Sequence, residues 1–322
     1  VEIKPEALLD AVKNRRDDEV RALLQNGASV NVMNAAQDTP LTLALGNDDI
    51  KLARLFLQSG ADVAKYEDAT GRSLLAILRS AGTSFRAEEE PLACLLLDYG
   101  ANPRARDHIG LPLVSRYASL GMAEALSRAL TAGASANAVG DNTVLSPLYY
   151  AISGDSKSLV IVKTLIAHGA DPDGLPGETT PPLLVAVRQN NLPAAAALLE
   201  AGANPDIAGT ATGATPLVLA LRQKNAEMAD LLLARGACVE APADKGLRAM
   251  DIFARDNAIE AVEKLLAAGA KADTCHLDAQ GAPVETPLHI AVRHKRLDIL
   301  NLMLKHGADP LCVDGFGYTP LQ

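Results

Sequence analysis

The sequence predicts an all-α solenoid, a stack of short helix–turn–helix repeats, and two features support this fold class. Nine of the eleven Gly-Ala dipeptides follow one another at intervals of 33 to 40 residues. A period of this length indicates a row of similar small repeats rather than one globular core. A tripeptide similar to Thr-Pro-Leu follows most of these dipeptides. The nine glycines are Gly27, Gly60, Gly100, Gly133, Gly169, Gly202, Gly236, Gly269 and Gly307.

Each of these nine regularly spaced Gly-Ala dipeptides is predicted to end an amphipathic helix. The residues three and four positions before the glycine are apolar in all nine copies, from Leu23-Leu24 to Met303-Leu304. Glycine adopts the left-handed conformation that terminates many helices. We therefore expect the second helix of every repeat to end at this glycine.

The tripeptide is predicted to begin the first helix of a repeat. Threonine or serine caps a helix N-terminus, and proline suits the first helical position because its missing N–H would have no partner there. A small residue four positions later lets these helices pack closely. The copies are Thr39-Pro40-Leu41, Leu111-Pro112-Leu113, Ser146-Pro147-Leu148, Pro181-Pro182-Leu183, Thr215-Pro216-Leu217, Thr286-Pro287-Leu288 and Thr319-Pro320-Leu321. The small residues are Ala44, Ala151, Ala186, Ala220, Ala254 and Ala291.

Together these motifs resemble those of the ankyrin repeat family. The family signature Thr-Pro-Leu-His-x-Ala occurs complete from Thr286 to Ala291 and in part in most other repeats. The resemblance covers roughly residues 5–322. It implies a non-catalytic scaffold that binds a protein or peptide in a concave groove lined by hairpin tips and first helices. It also implies that the ring of His289 connects neighbouring loops.

The repeat boundaries predict the domain organisation. We expect residues 1–27 to form an N-terminal capping repeat, because this segment is polar and lacks the Thr-Pro-Leu motif. We expect residues 28–322 to form ankyrin repeats, with insertions near 80–91 and 274–285. The chain stops at Gln322 within a tenth repeat, and we therefore expect the natural protein to continue.

Composition excludes several classes of partner. The net charge of −9 argues against binding to nucleic acid and to anionic membranes. The apolar runs are too short to cross a bilayer. The four cysteines have no paired spacing, which indicates a reducing compartment or free thiols. We expect a monomer located in the cytoplasm, or in the host cytosol if the protein is a secreted effector.

The sequence contains no catalytic motif. Cys275, His276 and Cys312 lie in adjacent predicted hairpins, but the four-ligand spacing of a structural zinc site is missing. The carboxylate clusters Asp17-Asp18, Asp48-Asp49 and Glu88-Glu89-Glu90 lie in predicted polar turns, where they would form a solvated face or helix N-terminal charge rather than a buried pair suited to acid–base chemistry. We therefore expect no catalytic residue, no metal and no cofactor.

A recurring arginine predicts a binding surface. Arg188, Arg222 and Arg293 stand six residues after the proline of their repeats, and Arg255 stands at a neighbouring register. Stacking would align them in a column that could hold an acidic partner segment. The alternative is that they only complement helix dipoles. The predicted partner-binding residues are Arg188, Gln189, Arg222, Gln223, Arg255, Arg293 and His294, flanked by His108, Thr212, Lys245 and Phe316.

Other interpretations of the sequence stay open. The segment from Ser80 to Pro91 contains Phe85 and Arg86 and is a second candidate contact, although a tolerated insertion would look the same. The chain could be the targeting arm of a larger enzyme, such as a bacterial effector whose catalytic domain lies outside it. A small-molecule or metal sensor built on the Cys275 and Cys312 hairpins is the third alternative.

Overall fold

The structure is a computed structural model that describes residues 4, 6–47, 49–63, 90–107, 109–154, 158–210, 213–241, 247–275 and 285–322. Within these ranges it contains seventeen α-helices and no β-strand, with isolated bridges at Arg106–Pro112 and Gly140–Thr143. The predicted all-α class is therefore confirmed. The chain divides into two compact units, Val1–Asp171 and Pro172–Gln322.

We number the repeats one to nine by the glycines that end them. In eight of the nine repeats the structure describes a first and a second helix, and in repeat three it describes only the second. The first unit contains α1 (Glu6–Lys13), α2 (Asp17–Gln25), α3 (Pro40–Gly46), α4 (Ile50–Gln58), α5 (Glu90–Asp98), α6 (Leu113–Leu120), α7 (Ala123–Thr131), α8 (Pro147–Ser153) and α9 (Leu159–Ala167).

The second unit contains the described helices of repeats six to nine. These are α10 (Pro182–Arg188), α11 (Leu192–Glu200), α12 (Pro216–Arg222), α13 (Ala226–Ala234), α14 (Ala249–Arg255), α15 (Ile259–Ala267), α16 (Pro287–Arg293) and α17 (Leu297–Lys305). The two helices of each repeat pack together, as α10 does with α11 and α12 with α13. First helices also pack on first helices, as α10 does on α12 and α14 on α16.

Most first helices begin as the tripeptides predict. The side chains of Thr39, Ser146, Thr215 and Thr286 each accept a hydrogen bond from the backbone N–H three residues later. Proline occupies the first turn of α3, α8, α10, α12 and α16. One exception is α6, which begins at Leu113 rather than at Pro112. Pro112 is extended there because it pairs with Arg106 in a bridge. The other is Thr319-Pro320-Leu321, which lies in a turn and begins no helix in the described residues.

The predicted helix ends and close-packed alanines are also confirmed. The glycines of all nine regularly spaced Gly-Ala dipeptides have positive φ, from 83° at Gly169 to 101° at Gly133. An L side chain is strained in this region, so glycine is the residue that fits. The six small residues of the first helices are all completely buried. They let neighbouring helices approach closely, as the repeat period requires.

His289 connects two loops, as the resemblance implies. Its Nδ1 atom lies 2.7 Å from Thr286 Oγ1 at the start of α16. Its Nε2 atom lies 2.8 Å from the carbonyl oxygen of Tyr318 in the following hairpin. The ring therefore joins a helix cap to the next loop.

Several predicted features lie outside the described residues. Of the two predicted insertions, only 90–91, 274–275 and 285 fall within the described ranges, and Phe85 and Arg86 do not. Among the helices that can be described, none is long and apolar enough to cross a membrane.

Candidate functional surface

Four arginines end the first helices of the second unit. Arg188 is the last residue of α10, Arg222 of α12, Arg255 of α14 and Arg293 of α16, and all four are exposed. The neighbouring register predicted for Arg255 is wrong. Helix α14 has seven residues like the other three helices and begins at Ala249 in place of proline. All four arginines therefore share one position in the repeat.

Among the described residues, two of the four arginines form ion pairs and two do not. Arg255 Nε lies 3.0 Å from Asp256 Oδ1, and Arg293 Nη1 lies 2.9 Å from Glu285 Oε1. Within the described ranges, Arg188 and Arg222 have no ion-pair partner. We call Arg188 and Arg222 the free arginine pair. The unpaired arginines of this set therefore lie in repeats six and seven.

The other predicted contacts are distributed around these arginines. Gln189 and His294 are half-buried at the C-caps of α10 and α16, whereas Gln223 is exposed at the C-cap of α12. Phe316 is 66% exposed in the hairpin that follows repeat nine. The remaining predicted contacts, His108, Thr212 and Lys245, lie outside the described residues.

Side chains in the turns between helices hold some neighbouring repeats together. Gln223 Nε2 donates to the carbonyl oxygen of Arg188 at 3.0 Å, and Asn225 Nδ2 donates to Asn190 Oδ1. These bonds join repeat seven to repeat six. In the same way, Arg296 Nε donates to the carbonyl oxygen of Arg255 at 3.2 Å and joins repeat nine to repeat eight.

The junction between repeats seven and eight lacks this kind of bond in the part of the chain that the structure describes. Asp256 occupies the position of Gln223, and Ala258 occupies the position of Asn225. A carboxylate and a methyl group cannot donate to a backbone carbonyl. A cleft of about 440 Å³ opens at this junction. We call it the 7/8 cleft, and its lining includes Leu221, Arg222, Lys224, Asn225, Ala226, Phe253, Asp256, Asn257, Ala258, Ile259, Glu260, Ala261 and Lys264.

A small side chain at the start of α13 also keeps the 7/8 cleft open. Ala226 is the first residue of that helix and lines the cleft. Five other second helices begin with a larger aliphatic residue. These are Ile50, Leu159, Leu192, Ile259 and Leu297. The sequence motifs did not predict this cleft. An alignment of the repeats shows that positions 226, 256 and 258 carry residue types different from those in repeat six or seven.

Two of the described carboxylates from the predicted acidic clusters, Asp49 and Glu90, have structural roles. Asp49 accepts a hydrogen bond from the backbone N–H of Leu52 at the start of α4. Glu90 Oε1 accepts from the backbone N–H groups of Glu124 and Ala125 at the start of α7, at 2.7 and 3.2 Å. Both are positions where negative charge is favourable, near the N-terminus of a helix. Asp48 lies outside the described residues.

One buried carboxyl group lies near the hairpin between repeats seven and eight. Burial raises the pKa of Asp251, in the first turn of α14, from 3.8 to about 6. The backbone N–H of Arg248 donates to Asp251 Oδ2 at 2.9 Å, and the Arg248 side chain pairs with Glu240 at 2.6 Å. These contacts only partly offset the cost of burying the charge.

The predicted cysteine hairpins do not bring together a set of metal ligands among the described residues, where no group of three suitable side chains occurs. Cys275 is exposed, Cys312 is half-buried, and His276 lies outside the described residues. Burial raises the pKa of Cys312. A raised pKa reduces the thiolate fraction at neutral pH, and the thiolate is the form that binds a metal.

Family models for ankyrin repeats match the chain. A three-copy model matches residues 111–209, 158–243 and 183–278, and many-copy models match 265–322 and 8–57. The chain is 24% identical to the human ASB11 ankyrin repeat domain, with a TM-score of 0.47 over 65% of this chain and 89% of that domain.

Two curated relatives are large enzymes that match over short segments. Palmitoyltransferase ZDHHC13 of Mus musculus is 32% identical over 87 residues, which are 27% of this chain and 13% of that protein. The 2-5A-dependent ribonuclease of Mus musculus is 49% identical over 59 residues, which are 18% of this chain and 8% of that protein.

Proposed function

The chain belongs to the ankyrin repeat family, and we propose that it is a non-catalytic module that binds an acidic segment of another protein. Repeats of this family generally mediate protein–protein interactions, and their fold is typically non-catalytic. The observation that carries the finer proposal is the free arginine pair. Both side chains are exposed on adjacent repeats, and neither has an ion-pair partner in the described ranges.

The proposed binding relies on the positive charge of the free arginine pair. A guanidinium group can bind a carboxylate through two parallel hydrogen bonds, and Arg188 and Arg222 would not have to leave an internal partner first. Arg255 and Arg293 would have to exchange Asp256 and Glu285 for the carboxylates of the partner. We therefore expect the free arginine pair to provide most of the electrostatic attraction, although the net charge of the whole chain is −9.

A direct test uses a display library of random twelve-residue peptides selected on the full chain. We expect the enriched peptides to be acidic. We also expect them to lose at least about tenfold in affinity for the R188E/R222E variant, because attraction becomes repulsion at two positions. The matched control is K271E/K305E, which changes the net charge equally at two exposed lysines of the same unit. Enriched peptides without acidic residues, or equal loss in both variants, would contradict the proposal.

A second candidate is that the chain is the targeting arm of a larger enzyme. The observation in its favour is that two curated relatives are enzymes of which the matched segments form only 13% and 8%. The complete reading frame tests this candidate, because a catalytic domain in the same frame would support it and a frame without one would remove it. The bacterial-effector version, the cytoplasmic location, the monomeric state and the capping role of residues 1–27 stay predictions.

A further inference from the structure

The 7/8 cleft lies directly beside one member of the free arginine pair. Arg222 ends α12 and lines the cleft, followed by Lys224 and by Ala226 at the start of α13. The opposite side is formed by Phe253 of α14 and by the first turns of α15. Its volume of about 440 Å³ is within the range of protein binding pockets, roughly 300 to 1,000 Å³. A segment held by Arg222 would therefore pass a cavity large enough to take a side chain.

The inner surface of the cleft is mainly apolar. Leu221 and Phe253 contribute side chains that are otherwise buried, at 7% and 3% exposure. Ile259 contributes a side chain that is 39% exposed. Alanines 226, 258 and 261 widen the space because they carry only a methyl group. An apolar group that entered the cleft would gain from leaving water.

The charges around the cleft favour an acidic occupant on the side of repeat seven. Arg222 and Lys224 have no ion-pair partner among the described residues. Lys264 forms an ion pair with Asp230 at 2.5 Å, and Asp256 forms an ion pair with Arg255. The remaining carboxylate of the lining is that of Glu260, on the side of repeat eight. The available positive charge therefore exceeds the available negative charge by one.

We propose that the 7/8 cleft receives one large apolar side chain of the acidic partner segment, with neighbouring carboxylates of that segment on Arg222 and Lys224. This inference rests on the proposed function and specifies the partner. The segment would carry leucine, isoleucine, methionine or phenylalanine directly between acidic residues. Ala226 is the residue that makes room for it.

The test uses fluorescein-labelled peptides Asp-Glu-X-Glu-Asp, with X as leucine, phenylalanine or serine, and fluorescence polarisation on the full chain. We expect the leucine and phenylalanine peptides to bind about tenfold more tightly than the serine peptide. The variant Ala226→Leu fills the cleft with a leucine, the residue that stands at this position in repeats six and nine as Leu192 and Leu297. It should reduce this preference to less than about twofold while the serine peptide binds as before.

Two further variants complete the design. Ala123→Leu makes the same change at the first residue of α7 in the first unit, and it should leave the preference intact. Glu260→Gln removes the opposing carboxylate and should tighten binding of all three peptides by about twofold.

The possible outcomes separate this inference from the proposed function. If R188E/R222E abolishes binding but leucine and serine peptides bind the parent chain equally, the cleft inference is wrong and the arginine surface stands. If the apolar preference persists in Ala226→Leu, the preference does not come from the cleft and the inference is again wrong. If no acidic peptide binds the parent chain, or all bind R188E/R222E equally well, the proposed function fails as well.

Discussion

Repeat seven is joined to repeat six and to repeat eight in different ways. On the side of repeat six, Gln223 and Asn225 donate hydrogen bonds to the preceding turn. On the side of repeat eight, Asp256 and Ala258 occupy those positions and the 7/8 cleft opens. In all three repeats the first helix has seven residues and the second helix has nine. The two junctions therefore differ in their turn side chains, which form hydrogen bonds between repeats six and seven and border a cleft between repeats seven and eight.

The largest expected effect concerns the core beside the 7/8 cleft. Phe253→Ala removes a side chain that is 3% exposed, and we expect the free energy of unfolding to fall by about 3 kcal/mol or more. Because the stability of a repeat protein depends on the contacts between neighbours, urea unfolding followed by circular dichroism should then split into two transitions. Phe316→Ala, at an exposed position, should leave the profile unchanged. One transition with the parent midpoint would show that Phe253 does not support the junction.

The second prediction concerns pH and the hairpin end of the same junction. Burial raises the pKa of Asp251 from 3.8 to about 6, so between these values the folded chain holds a proton that the unfolded chain has lost. The unfolding free energy should therefore fall as pH rises from about 4 to about 6, by roughly 2 to 3 kcal/mol, and change no further above that range. The Glu240–Arg248 ion pair faces the same carboxyl group.

The variant Asp251→Asn isolates this contribution. Its amide oxygen can still accept from the backbone of Arg248, but the side chain does not titrate in this range. The difference in unfolding free energy between parent and variant, measured by urea titration at pH 4, 5, 6 and 7, cancels the other groups. A difference that does not depend on pH would show that Asp251 is not the source.

The smallest of the stability effects comes from exchanging the residue types at the equivalent turn positions 223 and 256. Asp256→Gln supplies an amide that can donate to the carbonyl oxygen of Arg222, as Gln223 does to that of Arg188, and should stabilise the chain by about 1 kcal/mol. The reverse change, Gln223→Asp, removes the donor from the closed junction and should destabilise it by a similar amount. Thermal unfolding of both variants measures the two changes in stability. Shifts of the same sign would contradict the role assigned to these bonds.

The features that every repeat shares could be predicted from the sequence. Thr286 and Pro287 start a helix, Gly269 ends one and Ala254 is fully buried, because each depends on local backbone geometry or on a side chain that must be small. His289 was placed correctly by resemblance. These positions are constrained in the same way wherever the repeat occurs.

The features that distinguish one repeat from the next were harder to predict. The shared sequence position groups the four arginines, but ion pairing divides them. Arg255 and Arg293 contact carboxylates one and eight residues away, whereas Arg188 and Arg222 have no ion-pair partner in the described ranges. The 7/8 cleft depends on three substitutions at separate positions that act on one junction. Such effects depend on packing between repeats, and a motif search within one repeat does not detect them.

The comparison of the free and the paired arginines gives the most direct measurement of the central claim. An acidic peptide selected on the parent chain would be titrated by calorimetry into R188Q/R222Q and into R255Q/R293Q, which remove equal charge from the same position of four repeats. We expect at least about tenfold weaker binding for the first variant and less than about twofold for the second. Equal losses in both variants would contradict the claim, because they would show that the internal ion pairs do not determine which arginines bind the partner.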